Sequence, residues 1–270
     1  MAGIVFTDLD GTLLSHEDYS YEAVLPMLTQ LASANVPVIL STSKTFPEVM
    51  VWRKRLGLSD MPFMVENGSA IYFPASMIKS DVIAGYPINN VHGLCQVVLG
   101  TPAVEILKFL GEFDAGLVNL ISCSLDQAVA LTGLTEQEAA DAQQRDFTVP
   151  VVVEDDTIGA KLVQAATDQG FWCQQGGRFL HLQGACDKGM ALNVITTVLN
   201  TLHDCRHVTL ALGDSYNDQA MLEAADIAVI VRSPEGHRLK LDGDNVYYTR
   251  ETAPDGWSEG VGTALAQLIG

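Results

Sequence analysis

The chain has 270 residues, 48% of them hydrophobic and 18% charged, which suits a globular protein with one large core or two domains. A formal net charge of −18 argues against a nucleic-acid partner and against adhesion to anionic lipid, since both need a surplus of lysine and arginine. No apolar run reaches the roughly 18 residues of a membrane span, no basic-then-apolar segment marks a signal peptide, and the five cysteines form no C-x-x-C pair, so buried apolar thiols in a reducing, cytoplasmic compartment are expected.

Residues 3–8 form a short apolar run and predict a buried strand. Val24, Leu25, Leu28 and Leu31 then recur at helical spacing, and 36–40 is a second apolar run. Thr45 and Glu48 have the spacing of a capping box, so a helix is expected from there to about Gly57, with Pro47 tolerated in its first turn. Residues 63–65 and 70–73 predict two strands joined by a turn at Glu66-Asn67-Gly68. The order strand, helix, strand, helix, strand predicts a parallel sheet with right-handed crossovers.

From about Ala84 the pattern changes. A strand near 96–99 and a helix opened by Thr101-Pro102 are expected, then a capping box at Thr135 and Glu138, a β-rich run at 147–153, and a helix over 156–169. Two short strands flank Gln175-Gly176-Gly177, a hairpin signal. The fold class expected is therefore α/β: a doubly wound, Rossmann-like parallel-sheet core from residues 1–83 and 184–270, with 84–183 inserted as an α+β cap. Beyond it come a helix over 187–202, a strand at 207–212, a short helix at 219–224, strands at 227–231 and 245–248, and a last helix at 257–269.

Two acidic clusters stand where ligands bind in doubly wound sheets, outside the carboxyl ends of strands. Asp8 and Asp10 follow the first strand, Gly213-Asp214-Ser215-Tyr216-Asn217-Asp218 follows a later one, and Thr42 follows the second. Unpaired carboxylates cannot be buried cheaply, so such a cluster is solvated, paired or bound to a cation. The residues alone suggest that Asp8 attacks phosphorus and Asp10 handles a proton, with a divalent cation between them. Lys188, at a predicted helix start, would stay charged beside these carboxylates and hold the nucleophile and an incoming phosphate together.

Asp8-x-Asp10-Gly11-Thr12-Leu13-Leu14, Thr42, Lys188 and Gly213-Asp214-Ser215-x-Asn217-Asp218 resemble, in order, the four motifs of the haloacid dehalogenase superfamily. The inserted region resembles the α/β cap of its Cof-type branch. More narrowly, Ser41-Thr42-Ser43-Lys44-Thr45, Glu66-Asn67-Gly68, Gly176-Gly177-Arg178-Phe179 with His181, and Asp187-Lys188-Gly189 resemble the mannosyl-3-phosphoglycerate phosphatases. One departure is Ser43-Lys44, where many Cof-type relatives carry Gly-Arg.

The resemblance implies a Mg2+ cofactor held by the Asp8 and Asp214 carboxylates and the Asp10 backbone carbonyl, an aspartyl-phosphate on Asp8, and Asp10 as acid and then base. It implies that Thr42 and the Ser43 amide meet the phosphoryl group, and that Asp218 steadies Lys188, with Ser215 and Asn217 beside it. Lys44 and Arg178 are candidates for the glycerate carboxylate of a small phosphorylated sugar-glycerate substrate; Glu66, Asn67 and His181 are candidates for its hydroxyls. Arg145 and Asp146 are ambiguous. Two rival readings are a sugar-phosphate phosphatase or phosphomannomutase-type transferase with the same chemistry, and a non-catalytic phospho-accepting module like a receiver domain. The long insertion and the Asp-x-Asp spacing oppose the latter.

Overall fold

The computed structural model describes residues 2–78, 83, 85–113, 116–176 and 178–269. In chain order the regular elements are β1 (Ala2–Thr7), α1 (Leu25–Ser33), β2 (Val38–Ser41), α2 (Phe46–Arg55), β3 (Phe63–Val65), β4 (Ala70–Pro74), β5 (Ile88–Val91), β6 (Leu94–Val98) and α3 (Ala103–Glu112). They continue with α4 (Leu125–Thr132), α5 (Glu136–Gln143), β7 (Val149–Val152), α6 (Asp156–Asp168), β8 (Trp172–Gly176) and β9 (Phe179–Gln183). The last are α7 (Lys188–His203), β10 (His207–Gly213), α8 (Gln219–Ala224), β11 (Ile227–Arg232), β12 (Val246–Thr252) and α9 (Asp255–Ile269).

Nine strands form one sheet in the order β12-β11-β10-β1-β2-β3-β4-β6-β5. From β12 to β3 every pairing is parallel; β4, β6 and β5 extend the edge antiparallel. The inner strands are apolar without alternation because both faces are covered. Along β1, Val5 joins the core built with Leu28, Leu31, Trp52, Trp257 and Val261, while Ile4 and Phe6 join the opposite core with Leu192, Ile195, Met221 and Leu222. Successive residues thus feed α1, α2 and α9 on one face and α7 and α8 on the other, as a period of two requires. This is the doubly wound α/β core that the element order predicts.

A second sheet, β7-β9-β8, is antiparallel and packs its apolar side against α3 and α6 through Ile106, Val149, Val151, Leu162 and Leu182. The expected start of the inserted cap at residue 84 lies outside the described residues. The strands after it, β5 and β6, remain in the large sheet, Val97 pairing with both Ile71 and Ile88. The chain therefore leaves the first sheet after Val98, and the predicted strand at 96–99 belongs to the core layer. Pairing with a distant strand decides membership, and local pattern does not reveal it. Gly177, in the predicted hairpin turn, is also outside the described residues; the strands flanking it do pair antiparallel.

The cysteines depart from expectation as well. Only Cys186 is buried, three are half-buried, and Cys205 is exposed. Among the described residues no helix is long and apolar enough to cross a membrane.

Candidate active site

Asp8 comes directly after β1, Thr42 after β2 and Asp214 after β10, and these three strands are adjacent and parallel. The Asp8 amide donates to the Leu212 carbonyl at 3.0 Å, extending the ladder by one residue before the chain turns away. Gly11 makes that turn with φ of 80°, and a Cβ there would fall 2.1 Å from the His16 ring. Lys188 is the first residue of α7; the Asp187 side chain caps this helix by accepting from the Met190 amide at 2.7 Å.

The Lys188 ammonium is fully buried and surrounded by oxygens. It donates to Asp8 Oδ1 at 2.7 Å, Asp218 Oδ1 at 2.7 Å and the Ser41 carbonyl at 2.9 Å. Burial alone would lower its pKa, but the Asp218 and Asp8 carboxylates outweigh that and hold it above the usual lysine range. For Asp8, burial pushes the carboxyl well up against the pull of Lys188, and Asp218, Asp214 and Asp10 push the same way. Lys188, shared between two carboxylates, therefore does not offset the burial of Asp8.

One carboxylate oxygen each from Asp8, Asp214 and Asp218 lies within 4.8 Å of the others. The Asp218 oxygens are already engaged, Oδ1 by Lys188 and Oδ2 by the amides of Asp214 and Ser215 at 3.1 Å each. Asp8 and Asp214 are thus the carboxylates placed to hold a cation, and Asp218 fixes Lys188 and the loop. An all-oxygen donor set of carboxylates fits a hard divalent ion such as Mg2+.

Asp10 Oδ2 pairs with the Lys44 ammonium at 3.0 Å, and its buried Oδ1 has no hydrogen-bond partner among the described residues. Lys44 also meets Glu48 at 3.6 Å and lies over the Tyr19 ring.

These groups floor a cavity of about 440 Å³ between the two sheets. Asp8, Asp10, Asp214 and Ser215 lie at its base, Ser43, Lys44 and Asn67 on its walls, and Arg145, Arg178 and His181 face it from the other side. Thr42 and Lys188 are fully buried beneath that lining. The Thr42 hydroxyl accepts from the Lys44 amide at 3.2 Å, so Ser43 rather than Thr42 reaches the cavity wall. Asn67, in the left-handed region at φ 59°, accepts from Asn217 at 3.2 Å and donates to Gln183 at 3.3 Å. Ser215 donates to Asn217 at 2.5 Å, so these side chains brace the loop after β10.

Glu66 corrects the sequence reading. It does not line the cavity. Its buried carboxylate accepts from the amides of Asp146, Phe147 and Thr148 at 2.9, 3.2 and 2.7 Å and from the Thr148 hydroxyl at 2.8 Å. Its oxygens are turned to the segment leading into β7, and its burial keeps it from meeting a sugar hydroxyl. Arg145 crosses the same junction, donating to the Ser43 carbonyl at 3.2 Å and the Thr148 hydroxyl at 2.7 Å. The Lys44 ammonium, expected on a glycerate carboxylate, is occupied by Asp10 and Glu48. Arg178 donates to the Leu131 carbonyl and faces the cavity. Burial, with the Arg145 charge, pushes the His181 imidazole down to about 3, so it is neutral at physiological pH.

Sequence reasoning missed two partners of Asp214: His16 Nε2 lies 3.2 Å from Oδ2, and the Arg238 guanidinium is 3.6 Å from the same oxygen. His16 stands six residues past Asp10, and that closeness to the first motif was the available signal. For Arg238 the sequence carries none.

Residues 5–240 match the family model of haloacid dehalogenase-like hydrolases. A glucosyl-3-phosphoglycerate/mannosyl-3-phosphoglycerate phosphatase from Persephonella marina is 32% identical over 268 residues, 98% of each chain. A Thermoplasma acidophilum structure aligns over 99% of this chain and 98% of its own with a TM-score of 0.66 at 18% identity. A phosphatase of the haloalkanoate superfamily from Bacteroides thetaiotaomicron aligns over 99% and 95% with a TM-score of 0.65 at 15% identity. At these identities the solved structures speak to the fold alone.

Proposed function

This chain belongs to the haloacid dehalogenase-like hydrolase family, in its Cof-type branch, and is a phosphoric monoester hydrolase; from that premise we propose that it is a Mg2+-dependent phosphatase acting on a phosphorylated sugar-glycerate, mannosyl-3-phosphoglycerate first, through an aspartyl-phosphate. One observation carries the reaction: Asp8, buried and oriented by Lys188, stands beside Asp214 at the base of a cavity. The substrate rests on the Persephonella marina relative, whose name gives the glucosyl and mannosyl forms.

In this reading the Asp8 carboxylate attacks phosphorus and the bond to the sugar-glycerate oxygen breaks. Asp10 delivers a proton to that oxygen from Oδ1, the atom that Lys44 leaves open. Asp10 then takes a proton from water, whose oxygen attacks phosphorus, releasing inorganic phosphate and restoring Asp8. Lys188 remains charged throughout and keeps Asp8 aimed. Bound Mg2+, held by Asp8, Asp214 and the Asp10 carbonyl, would supply charge neutralisation for the phosphoryl oxygens. The Ser43 amide would meet the phosphoryl group, with Thr42 supporting the loop from below. The unit from α3 to β9 acts as the cap that reads the leaving group. Arg178, facing the cavity with a bidentate fork, would take the glycerate carboxylate. The working compartment we propose is the cytoplasm, in keeping with five unpaired cysteines.

The test is release of inorganic phosphate from a panel of phosphorylated sugars that includes mannosyl-3-phosphoglycerate, with and without magnesium. Turnover of that compound only with the ion supports the reading. If it is untouched while hexose phosphates are cleaved, the substrate is wrong; phosphate moved onto a second sugar instead of water makes the enzyme a transferase. Asp8→Asn should abolish turnover in a folded protein, and near-full activity in that variant would refute the nucleophile.

A further inference from the structure

Lys44 stands on the cavity wall, where a cation could read the substrate, but its partners belong to the chain itself. Its ammonium lies 3.0 Å from Asp10 Oδ2, 3.6 Å from Glu48 Oε1 and 5.2 Å from the centroid of the Tyr19 ring. Burial alone would lower its pKa; the Asp10 and Glu48 carboxylates outweigh that and hold it above the usual lysine range, so it stays charged.

Glu48 is held in turn. Its Oε2 accepts from the Thr45 amide and the Thr45 hydroxyl, each at 2.9 Å, which leaves Oε1 turned to Lys44. The capping box that starts α2 thus also supports the lysine. The Thr45 hydroxyl lies 2.9 Å from the Asp141 carbonyl in the last turn of α5, so the same corner touches the smaller unit.

An ammonium has hydrogens to give and no lone pair to accept with. The Asp10 oxygen that faces it is therefore an acceptor in either state of the carboxyl. The exchangeable proton belongs on Oδ1, which is buried and has no hydrogen-bond partner among the described residues.

We propose that Lys44 is a positioning residue for departure of the leaving group: with Glu48 and Thr45 behind it, it holds Asp10 by Oδ2 so that Oδ1 alone carries the proton. This rests on the reading of Asp10 as acid and then base. As the bond from phosphorus to the sugar-glycerate oxygen breaks, the Oδ1–H bond breaks too and its proton passes to that oxygen. Asp10 is left as a carboxylate still paired with Lys44, and regains a proton from the water that attacks phosphorus. Lys44 itself gives up no proton.

The test compares kcat/KM, with magnesium, for two esters that lack a carboxylate: a hexose phosphate and p-nitrophenyl phosphate. A sugar oxygen needs a proton to depart, whereas p-nitrophenolate leaves without one. Up to loss of the leaving group kcat/KM covers every step, and later hydrolysis of the aspartyl-phosphate does not enter. General acid catalysis is worth about a hundredfold or more, so Lys44→Met should lose at least about tenfold on the hexose phosphate and less than about threefold on the nitrophenyl ester. Lys44→Arg, which still donates to Oδ2, should recover most of that loss. Glu48→Gln should show the same selectivity in milder form, and it carries the test if Lys44→Met does not fold. Asp10→Asn is the reference. If it spares the nitrophenyl ester while the Lys44 and Glu48 variants lose both esters alike, or neither, the proposal is overturned and the acid role of Asp10 stands. If Asp10→Asn itself loses both alike, the acid reading fails and takes the proposal with it.

Discussion

Replacing Lys188 by methionine tests the charge balance under the cavity directly. The ammonium lies 2.7 Å from both Asp8 Oδ1 and Asp218 Oδ1 and is fully buried. At an effective dielectric of about 20, each contact is worth roughly 6 kcal/mol before desolvation is counted. Desolvation of the ion offsets much of this, and breaking a buried pair typically costs a net of about 3–5 kcal/mol. For a chain of this length that lowers Tm by about 5–9 °C. The loss should depend on pH. Without the ammonium, both carboxyls have folded-state pKa values raised above their unfolded values. Protonated, they are tolerated below the unfolded value; the stability they then contribute is lost as pH rises through the folded one. The deficit of Lys188→Met, measured by urea unfolding, should therefore be larger at pH 8 than at pH 4.5. Adding Asp218→Asn removes one stranded charge, so the double variant should recover at least about 1 kcal/mol relative to the sum of the singles. Turnover with magnesium should fall at least about a hundredfold. Additivity within about 0.5 kcal/mol, or a deficit independent of pH, would refute the account of Lys188 as the counter-ion of both acids.

Glu66→Ala strips the acceptor from three amides at the junction into β7 and should cost about 2–4 kcal/mol in urea unfolding; a loss under about 0.5 kcal/mol would mean those amides find water. Gly68→Ala sets a Cβ 2.3 Å from the Asp187 carbonyl at a φ of 86°, so it should lower stability by more than about 1 kcal/mol and lower kcat through the displaced start of α7; an unchanged Tm counts against that contact. His181, held at about 3 when folded and near 6.5 when unfolded, binds fewer protons in the native state, so its contribution to stability falls as pH drops below 6.5. That amounts to about 2 kcal/mol between pH 8 and pH 5, and His181→Gln should flatten the stability profile by that amount. Parallel wild-type and variant profiles would show that the imidazole is protonated in the fold.

The parts legible in the sequence are those set by local chemistry. Capping boxes at Thr45/Glu48 and Thr135/Glu138 form as their spacing predicts, with reciprocal side-chain and backbone bonds. Apolar runs followed by acidic turns mark strands whose carboxyl ends meet, which is how Asp8 and Asp214 could be placed together from 206 residues apart in the chain. What was not legible depends on distant partners. β5 and β6 carry no local mark of belonging to the large sheet. Glu66 stands in a polar turn that reads as exposed, yet the chain of the smaller unit folds over it and buries it. Lys44 reads as a free cation, and only the tertiary structure shows Asp10 and Glu48 on it. Arg238 reaches Asp214 from an irregular segment that no periodicity describes.

The position of β1 has a further consequence, for assembly. It lies in the middle of the large sheet, yet its two neighbours differ greatly in sequence distance: Val5 pairs with Val38 on one side, while Ala2 pairs with His207 on the other. The first pairing closes a short loop; the second must wait for a loop of about two hundred residues, whose closure entropy is paid before any contact rewards it. Sequence separation alone thus favours pairing of β1 with β2 before β10 docks onto the other edge of β1. Until that docking occurs Asp8 lacks the Lys188 ammonium and the neighbouring Asp214, so the groups that would perform the chemistry come together only when the fold is nearly finished.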